Sequence, residues 1–406
     1  MKELVQRVDY LNFLKRHRDK PIIKVVSGVR RSGKSTLFKL YRHYLEEEGV
    51  AAENIVDINF EDMQFNDLRE AKALYAYLIA KIENKEKVYI FLDEIQHVDG
   101  FERVVDSLFI KENVDLYITG SNAYYLSGEI ATLLSGRYVE LKMLPLSFAE
   151  FVEWHEQNSP AKQTNSEYFN AYLKSSMPYT LFTDSDQETL EYLKGIYNTV
   201  VLNDIVARLN VSDVRVLQRL IDTLFSTIGS LITINRLRNT LVSKGVQISN
   251  RTVEKYLGGI LDSLIMYEAK RFDIHGKELL EMQDKYYVVD VGLRRLVLRD
   301  HLEDFGHILE NIVFLELKRR GYEVYVGKVD AYEVDFVAIN EKQELSYYQV
   351  ALNTTDQNVL KRELRPLQAI KDFYPKYLLT LDDYEKEANY DGIKKRNVID
   401  WLLQDH

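Results

Sequence analysis

The stretch VVSGVRRSGKSTLF, residues 25–38, constrains the fold more than any other part of the chain. Residues 22–27 (IIKVVS) are a short β-branched run, as in a buried parallel strand. Residues 34–48 (KSTLFKLYRHYLEEE) put Leu37, Leu40, Tyr41 and Tyr44 on one helical face. Between them lie Gly28, Val29, Arg30, Arg31, Ser32, Gly33, Lys34 and Ser35, followed by Thr36. They fit G-x-x-x-x-G-K-[ST] in the strand–loop–helix context this pattern needs. The glycines let the backbone turn tightly and aim N–H groups at phosphate oxygens. The helix that follows adds its positive end. Residues 28–36 are therefore the candidate nucleotide-binding stretch, with Lys34 for the β- and γ-phosphates and Ser35 for Mg²⁺.

A second element supports the first. KVYIFLDEIQ (87–96) is another buried strand, ending in Asp93 and Glu94. Carboxylates at the carboxyl end of a central strand sit where an open α/β sheet binds its ligand. Asp93 suits Mg²⁺ and Glu94 suits orienting or deprotonating an attacking water. A third strand, VDLYITGSNA (114–123), ends in polar residues among which Asn122 is a candidate γ-phosphate contact. Arg137, in LSGRY (134–138), is a candidate for neutralising charge at that phosphate, from its own subunit or a neighbour's. Read by residue type alone, Asn122 is equally a turn residue and Arg137 equally an exposed salt bridge.

Together these motifs resemble the AAA-type ATPases of archaea and bacteria that carry a C-terminal domain of unknown function. The resemblance rests on GVRRSGKSTLF, INFED (58–62), FLDEIQ (91–96), TGSNA (119–123), LSGRY and LPLSFAEF (144–151). It continues through NRTVEKYLGGILDSLIMYEAKRFD, KYYVVDVGLR, YEVDFVAI and NVIDWLL, and so covers nearly the whole chain. It implies ATP binding with hydrolysis, Asn122 as sensor and Arg137 as arginine finger. The chain departs from the family where many members have a glycine pair before a proline. Here the linker reads Ser175-Ser176-Met177-Pro178, so linker geometry is not carried over.

The chain has 406 residues, too many for one compact core, and two to four domains are expected. We expect an AAA-type P-loop core over 1–156, a linker and helical connector over 157–212, and a winged helix-turn-helix over 213–284. A nuclease-like domain over 285–406 completes an α/β architecture. In the third region TINRLRNTLVS (233–243) and SNRTVEKYLGGILDS (249–263) are helices. The second turns Asn250, Arg251, Glu254 and Lys255 outward, a face that could enter a DNA groove or meet a protein. Glu254 on that face would repel phosphate.

From about 285 the order of helix, three strands, helix, strand looks like the PD-(D/E)xK nuclease core. There a helix Glu and two strand carboxylates bind metal while a lysine positions water. Glu310 and Asp335 match the first two positions. The third reads Gln349-Val350-Ala351, without the acid or the lysine. This predicts a degenerate version that binds nucleic acid or protein rather than cuts; the alternative is an active nuclease in which Lys361 on the next helix substitutes for the lysine.

Net charge is −10, so any DNA contact must come from local patches such as 15–20, 318–320, 361–365 and 394–396. There is no cysteine, which excludes disulfides and thiolate metal sites and fits a reducing cytoplasm. No secretory signal and no bilayer-spanning apolar run is expected. The eight histidines show no zinc spacing. The expected reaction is Mg²⁺-dependent hydrolysis of ATP, coupled to movement of the C-terminal half on nucleic acid. The alternative is a slow, nucleotide-gated switch that binds a partner. A small-molecule kinase fits less well, because an Asp-Glu pair suits water activation. A homo-oligomer is compatible with either reading.

Overall fold

The computed structural model describes residues 4–121, 134, 136–158, 162–298 and 304–404. These form two compact units, Met1–Pro145 with Asp262–Leu264 and Leu146–Leu261 with Ile265–His406.

In the first unit the strands β1 (Ile23–Ser27), β2 (Ile55–Asn59), β3 (Val88–Asp93), β4 (Val114–Gly120) and β5 (Tyr138–Lys142) are all parallel. Their order is β2-β3-β4-β1-β5. Because both faces are covered, β1 and β3 are buried along their whole length, which is why they read as unbroken apolar runs. Ile23, Val25, Ile90, Leu92 and Ile118 pack with helices Ala71–Ile82 and Phe101–Phe109. Val26, Phe91 and Tyr117 pack on the other face with helices Lys34–Glu47 and Val8–Arg16. Lys24, a charge inside β1, pairs with Asp115, and its Nζ also donates to the Lys20 carbonyl at 3.0 Å. A buried ammonium is tolerable only with such partners.

The first unit closes at Pro145. Helix Phe148–Asn158, which the sequence reading joined to the core, packs in the second unit. Phe148 and Phe151 meet Tyr172 edge-on, with ring centroids 5.5 Å apart. LPLSFAEF is apolar on both sides of the proline, so composition does not reveal the division.

The second unit holds helices Val214–Ser226, Ile234–Ser243 and Asn250–Asp262, then β6 (Met266–Asp273) and β7 (Glu278–Val288). Three helices followed by a hairpin is the order expected of a winged helix-turn-helix. This hairpin, however, does not stand free. β6 pairs in parallel with β8 (Glu323–Val329), so the hairpin extends the sheet of the following region. A boundary at 284 would cut through β7. The sheet continues with β9 (Tyr332–Ile339), β10 (Leu345–Ala351), β11 (Lys376–Thr380), β12 (Glu387–Tyr390) and β13 (Ile393–Asn397). Its order is β12-β13-β11-β10-β9-β8-β6-β7. β8, β9 and β10 run antiparallel, whereas β10 and β11 are parallel, joined across helix Gln357–Ala369. Among the described residues no helix is long and apolar enough to cross a membrane.

Candidate functional site: a phosphate loop facing two acids

β4 lies between β1 and β3, so the loop after β1 and the acidic end of β3 flank the end of β4. The loop turns sharply. Arg31 has φ 66° and Gly33 φ 103°, both left-handed. At Gly28 an added Cβ would lie 2.3 Å from the Met143 carbonyl oxygen, so only glycine fits there. The Arg7 guanidinium braces the loop from behind, donating to Ser32 O at 3.2 Å and Leu144 O at 2.7 Å. Nothing in the sequence around Arg7 announces this role.

Lys34 begins the helix and is buried. Its Nζ donates to the carbonyls of Gly28 at 3.0 Å and Val29 at 3.3 Å, and lies 3.3 Å from Glu94 Oε1. Ser35 hydrogen-bonds Asp93. The Thr119 hydroxyl donates to Asp93 Oδ1 and accepts the Glu94 N–H at 2.8 Å. Thr119 thus ties the two acids to β4, a role hidden within TGSNA, where Asn122 drew attention instead. Glu94 adopts a left-handed φ of 54°, which breaks the strand alternation at the end of β3. Gln96 Nε2 donates to Glu94 Oε2 at 2.5 Å and to Ser121 Oγ at 3.3 Å.

The two acids differ electrostatically. Burial raises Asp93 above the ordinary carboxylate range, against the pull of its bonds to Ser35 and Thr119. Burial opposes ionisation of Glu94 too. Lys34, helped by Gln96 and Ser121, outweighs it and holds Glu94 down to about 2. Neighbouring acids set apart in this way are a mark of functional sites.

Asn122 lies outside the described residues. Arg137 is at the far end of the sheet from the loop. Its carbonyl accepts the Ile23 N–H at 2.9 Å, and Ile23 begins the strand whose other end leads into the loop. At about 3.3 Å per residue, Ile23 to Ser27 spans roughly 13 Å. Arg137 pairs with Asp106 and stacks 5.7 Å from the Phe109 ring. Within one chain the structure does not bring Arg137 to Lys34.

In the second unit Glu310, Asp335 and Gln349 do come together. Asp335 Oδ2 accepts the Val350 N–H at 2.8 Å, and Gln349 Oε1 accepts the Asp335 N–H at 3.4 Å. Burial and then the nearby Glu310 push Asp335 well above the ordinary range. The reading of the sequence missed Lys285 on β7. Its Nζ lies 2.8 Å from Glu310 Oε1, 2.8 Å from Glu333 Oε1 and 3.8 Å from Asp335 Oδ1. Lys361 is exposed, while Glu363, two residues on, accepts from Gln349 Nε2 at 3.1 Å. On helix Asn250–Asp262, Lys255 is turned to the Leu209 carbonyl at 2.8 Å, and Arg208 donates to the Gly259 carbonyl at 2.9 Å.

The parallel sheet, the loop at its carboxyl edge and the acids beside it define an AAA-type P-loop core. Residues 20–152 match an AAA domain, and residues 165–303 match a domain of unknown function (DUF8612). An uncharacterized protein of Haemophilus influenzae is 42% identical over 405 residues, covering 99% of this chain and 100% of its own. An uncharacterized protein of Methanocaldococcus jannaschii, MJ1544, is 30% identical over 394 residues, covering 93% of this chain and 85% of its own. The chain belongs to the family these relatives form, and in this chain the AAA domain is followed by a domain of unknown function. Among solved structures, the Walker-type ATPase PABY2304 of Pyrococcus abyssi shares the fold at a TM-score of 0.53 and 15% identity. That match covers 72% of this chain and 96% of the other.

Proposed function

We propose that this protein binds ATP and hydrolyses it to ADP and phosphate with the help of Mg²⁺. The observation that carries the reading is the meeting of Lys34, Ser35, Asp93 and Glu94 at the carboxyl edge of one parallel sheet. The loop fits a phosphate: the Ser32 hydroxyl is buried without a hydrogen-bond partner, and the space at Gly28 admits no side chain. A hydroxyl and one carboxylate also suit a hard cation that takes its remaining ligands from substrate and water. Mg²⁺, when bound, would neutralise charge on the β- and γ-phosphates, and Ser35 and Asp93 are the residues that would hold it.

Lys34 turns its ammonium from Glu94 and the loop carbonyls toward the phosphates. Glu94, ionised throughout the physiological range, accepts a proton from the attacking water or orients it. Thr119 and Gln96 fix the direction of its carboxylate. Asn122 follows the end of β4 in sequence and is proposed as the γ-phosphate sensor. Arg137 is proposed to serve the site of a neighbouring copy, since its own lies at the other end of β1.

Turnover is proposed to drive the second unit, with nucleic acid as its partner. One observation favours the second reading, a nucleotide-gated switch acting on a protein. Lys255, on the helix that would enter a groove, is spent on the Leu209 carbonyl, and Glu254 is exposed beside it. Phosphate release with and without Mg²⁺ and with single- or double-stranded DNA separates these readings. Stimulation by DNA supports the first, and tight ATP binding with negligible turnover supports the second. If Lys34→Ala binds and hydrolyses ATP like the parent, the site assignment fails.

A further inference from the structure

The nuclease-like arrangement of helix Phe305–Arg319, β8, β9 and β10 calls for a divalent metal between Glu310 and Asp335. The residues present do not fit one. An ammonium already stands there. Lys285 enters from β7, a strand that precedes the nuclease-like order and so escapes any motif read along it. Two of its contacts, at 2.8 Å, have the length of charge-assisted hydrogen bonds, and the third carboxylate is at 3.8 Å. Glu310 Oε1 is further occupied by the Tyr287 hydroxyl at 2.6 Å. Asp335 Oδ2 is occupied by the Val350 N–H. The Lys285 side chain is 3% exposed and that of Glu310 9%. Among the described residues no group of three or more His, Asp or Glu is arranged to hold a metal ion.

We infer that Lys285 serves as a built-in cation, closing the acidic centre of the second unit to divalent metal, so that this region binds its partner without cleaving it. The chemistry supports this. Two buried carboxylates and a third, partly exposed one call for a positive charge, and a divalent ion with oxygen ligands is the usual answer. Here the chain supplies the charge covalently. For a metal to enter, the ammonium would have to leave its partners while still buried, which is unfavourable. Gln349, neutral where the nuclease pattern has an acid, fits this centre, because a further carboxylate would add negative charge that one ammonium cannot offset. It stands independently of the ATPase reading.

The test is Mn²⁺ binding to the full chain without nucleotide, followed by the electron paramagnetic resonance of free Mn²⁺. The parent should show no Mn²⁺ that depends on Glu310. Lys285→Ala should gain one Mn²⁺ per chain, and Lys285→Ala combined with Asp335→Asn should lose it again. Circular dichroism checks that each variant folds. A folded Lys285→Ala that gains no ion overturns the inference. If that variant does not fold, the parent arm decides alone. Mn²⁺ bound by the parent and lost in Glu310→Gln overturns the inference, and equal binding by the two upholds it. Metal-dependent nicking of DNA by the parent that is lost in Glu310→Gln overturns it as well.

Discussion

Lys34 Nζ lies 3.3 Å from Glu94 Oε1, and this pairing makes the proposed nucleotide site testable one residue at a time. Lys34→Ala removes the ammonium held by the loop carbonyls and Glu94, and nucleotide affinity measured by fluorescent-analogue titration should fall at least tenfold. Glu94→Gln removes the competing carboxylate and the group that handles the water. Binding should be kept or tightened while phosphate release falls by about 10²–10⁴-fold. Gly28→Ala forces a Cβ against the Met143 carbonyl and should cost roughly 1–3 kcal/mol in thermal unfolding along with weaker binding. The acid limb follows from Glu94 as well. Its folded pKa is depressed from 4.5 to about 2. The stability it contributes is therefore present above about pH 4.5 and lost as pH falls toward 2. Acid unfolding of Glu94→Gln should lack that contribution.

At the scale of elements, the second unit is held by buried polar joints that no periodicity reveals. Asp290, fully buried after β7, accepts from Ser175 Oγ at 3.1 Å, Ser176 N at 2.6 Å and Ser176 Oγ at 2.8 Å. The serines that depart from the family's glycine pair thus have a partner. Asp290→Ala removes the acceptor of these three donors and of the Leu293 N–H at 3.0 Å, and should destabilise by roughly 2–4 kcal/mol in chemical denaturation. On β7, burial and then Glu268 raise Asp284 to about 6. The sign is opposite to that of Glu94. Between about pH 4 and 6 the folded chain keeps a proton that the unfolded chain has lost, so stability falls as pH rises through that window. Asp284→Asn should flatten this slope in melting curves taken from pH 4 to 7. The hairpin that holds Asp284 shows why element type was easier to read than grouping. The turn DIHGK between two extended stretches announces a hairpin, but only the pairing of Arg271–Asp273 with Val326–Lys328 shows which sheet it joins.

For the whole molecule, the proposed turnover depends on how copies and partners meet the site. If Arg137 serves a neighbouring copy, Arg137→Ala and Lys34→Ala should each be nearly inactive alone and regain turnover when mixed. An intact loop from one then meets an intact arginine from the other. Such an arginine contributes about 10³–10⁵ in rate, so even partial recovery is measurable by phosphate release. No recovery on mixing would remove Arg137 from the mechanism. A DNA partner should show its usual salt dependence, with stimulation lost between low and moderate salt.

How far the sequence reached follows from the range of each interaction. A phosphate loop is local: eight consecutive residues, the strand before and the helix after contain its physics, so the turn of Gly28–Ser35 between strand and helix was legible. The same holds for Asp93 and Glu94, because an apolar strand ending in acids needs no partner to be recognised. Arg7, Thr119 and Lys285 were not legible, since each acts on residues remote in sequence and carries no spacing signal of its own. The sequence by itself determined that this chain builds a parallel sheet with a phosphate loop at its carboxyl edge, since backbone freedom and hydrophobic period are properties of neighbouring residues. Only the tertiary structure decided that Arg137 lies away from its own loop and that Lys285 fills the acidic centre, because both depend on which strands lie side by side.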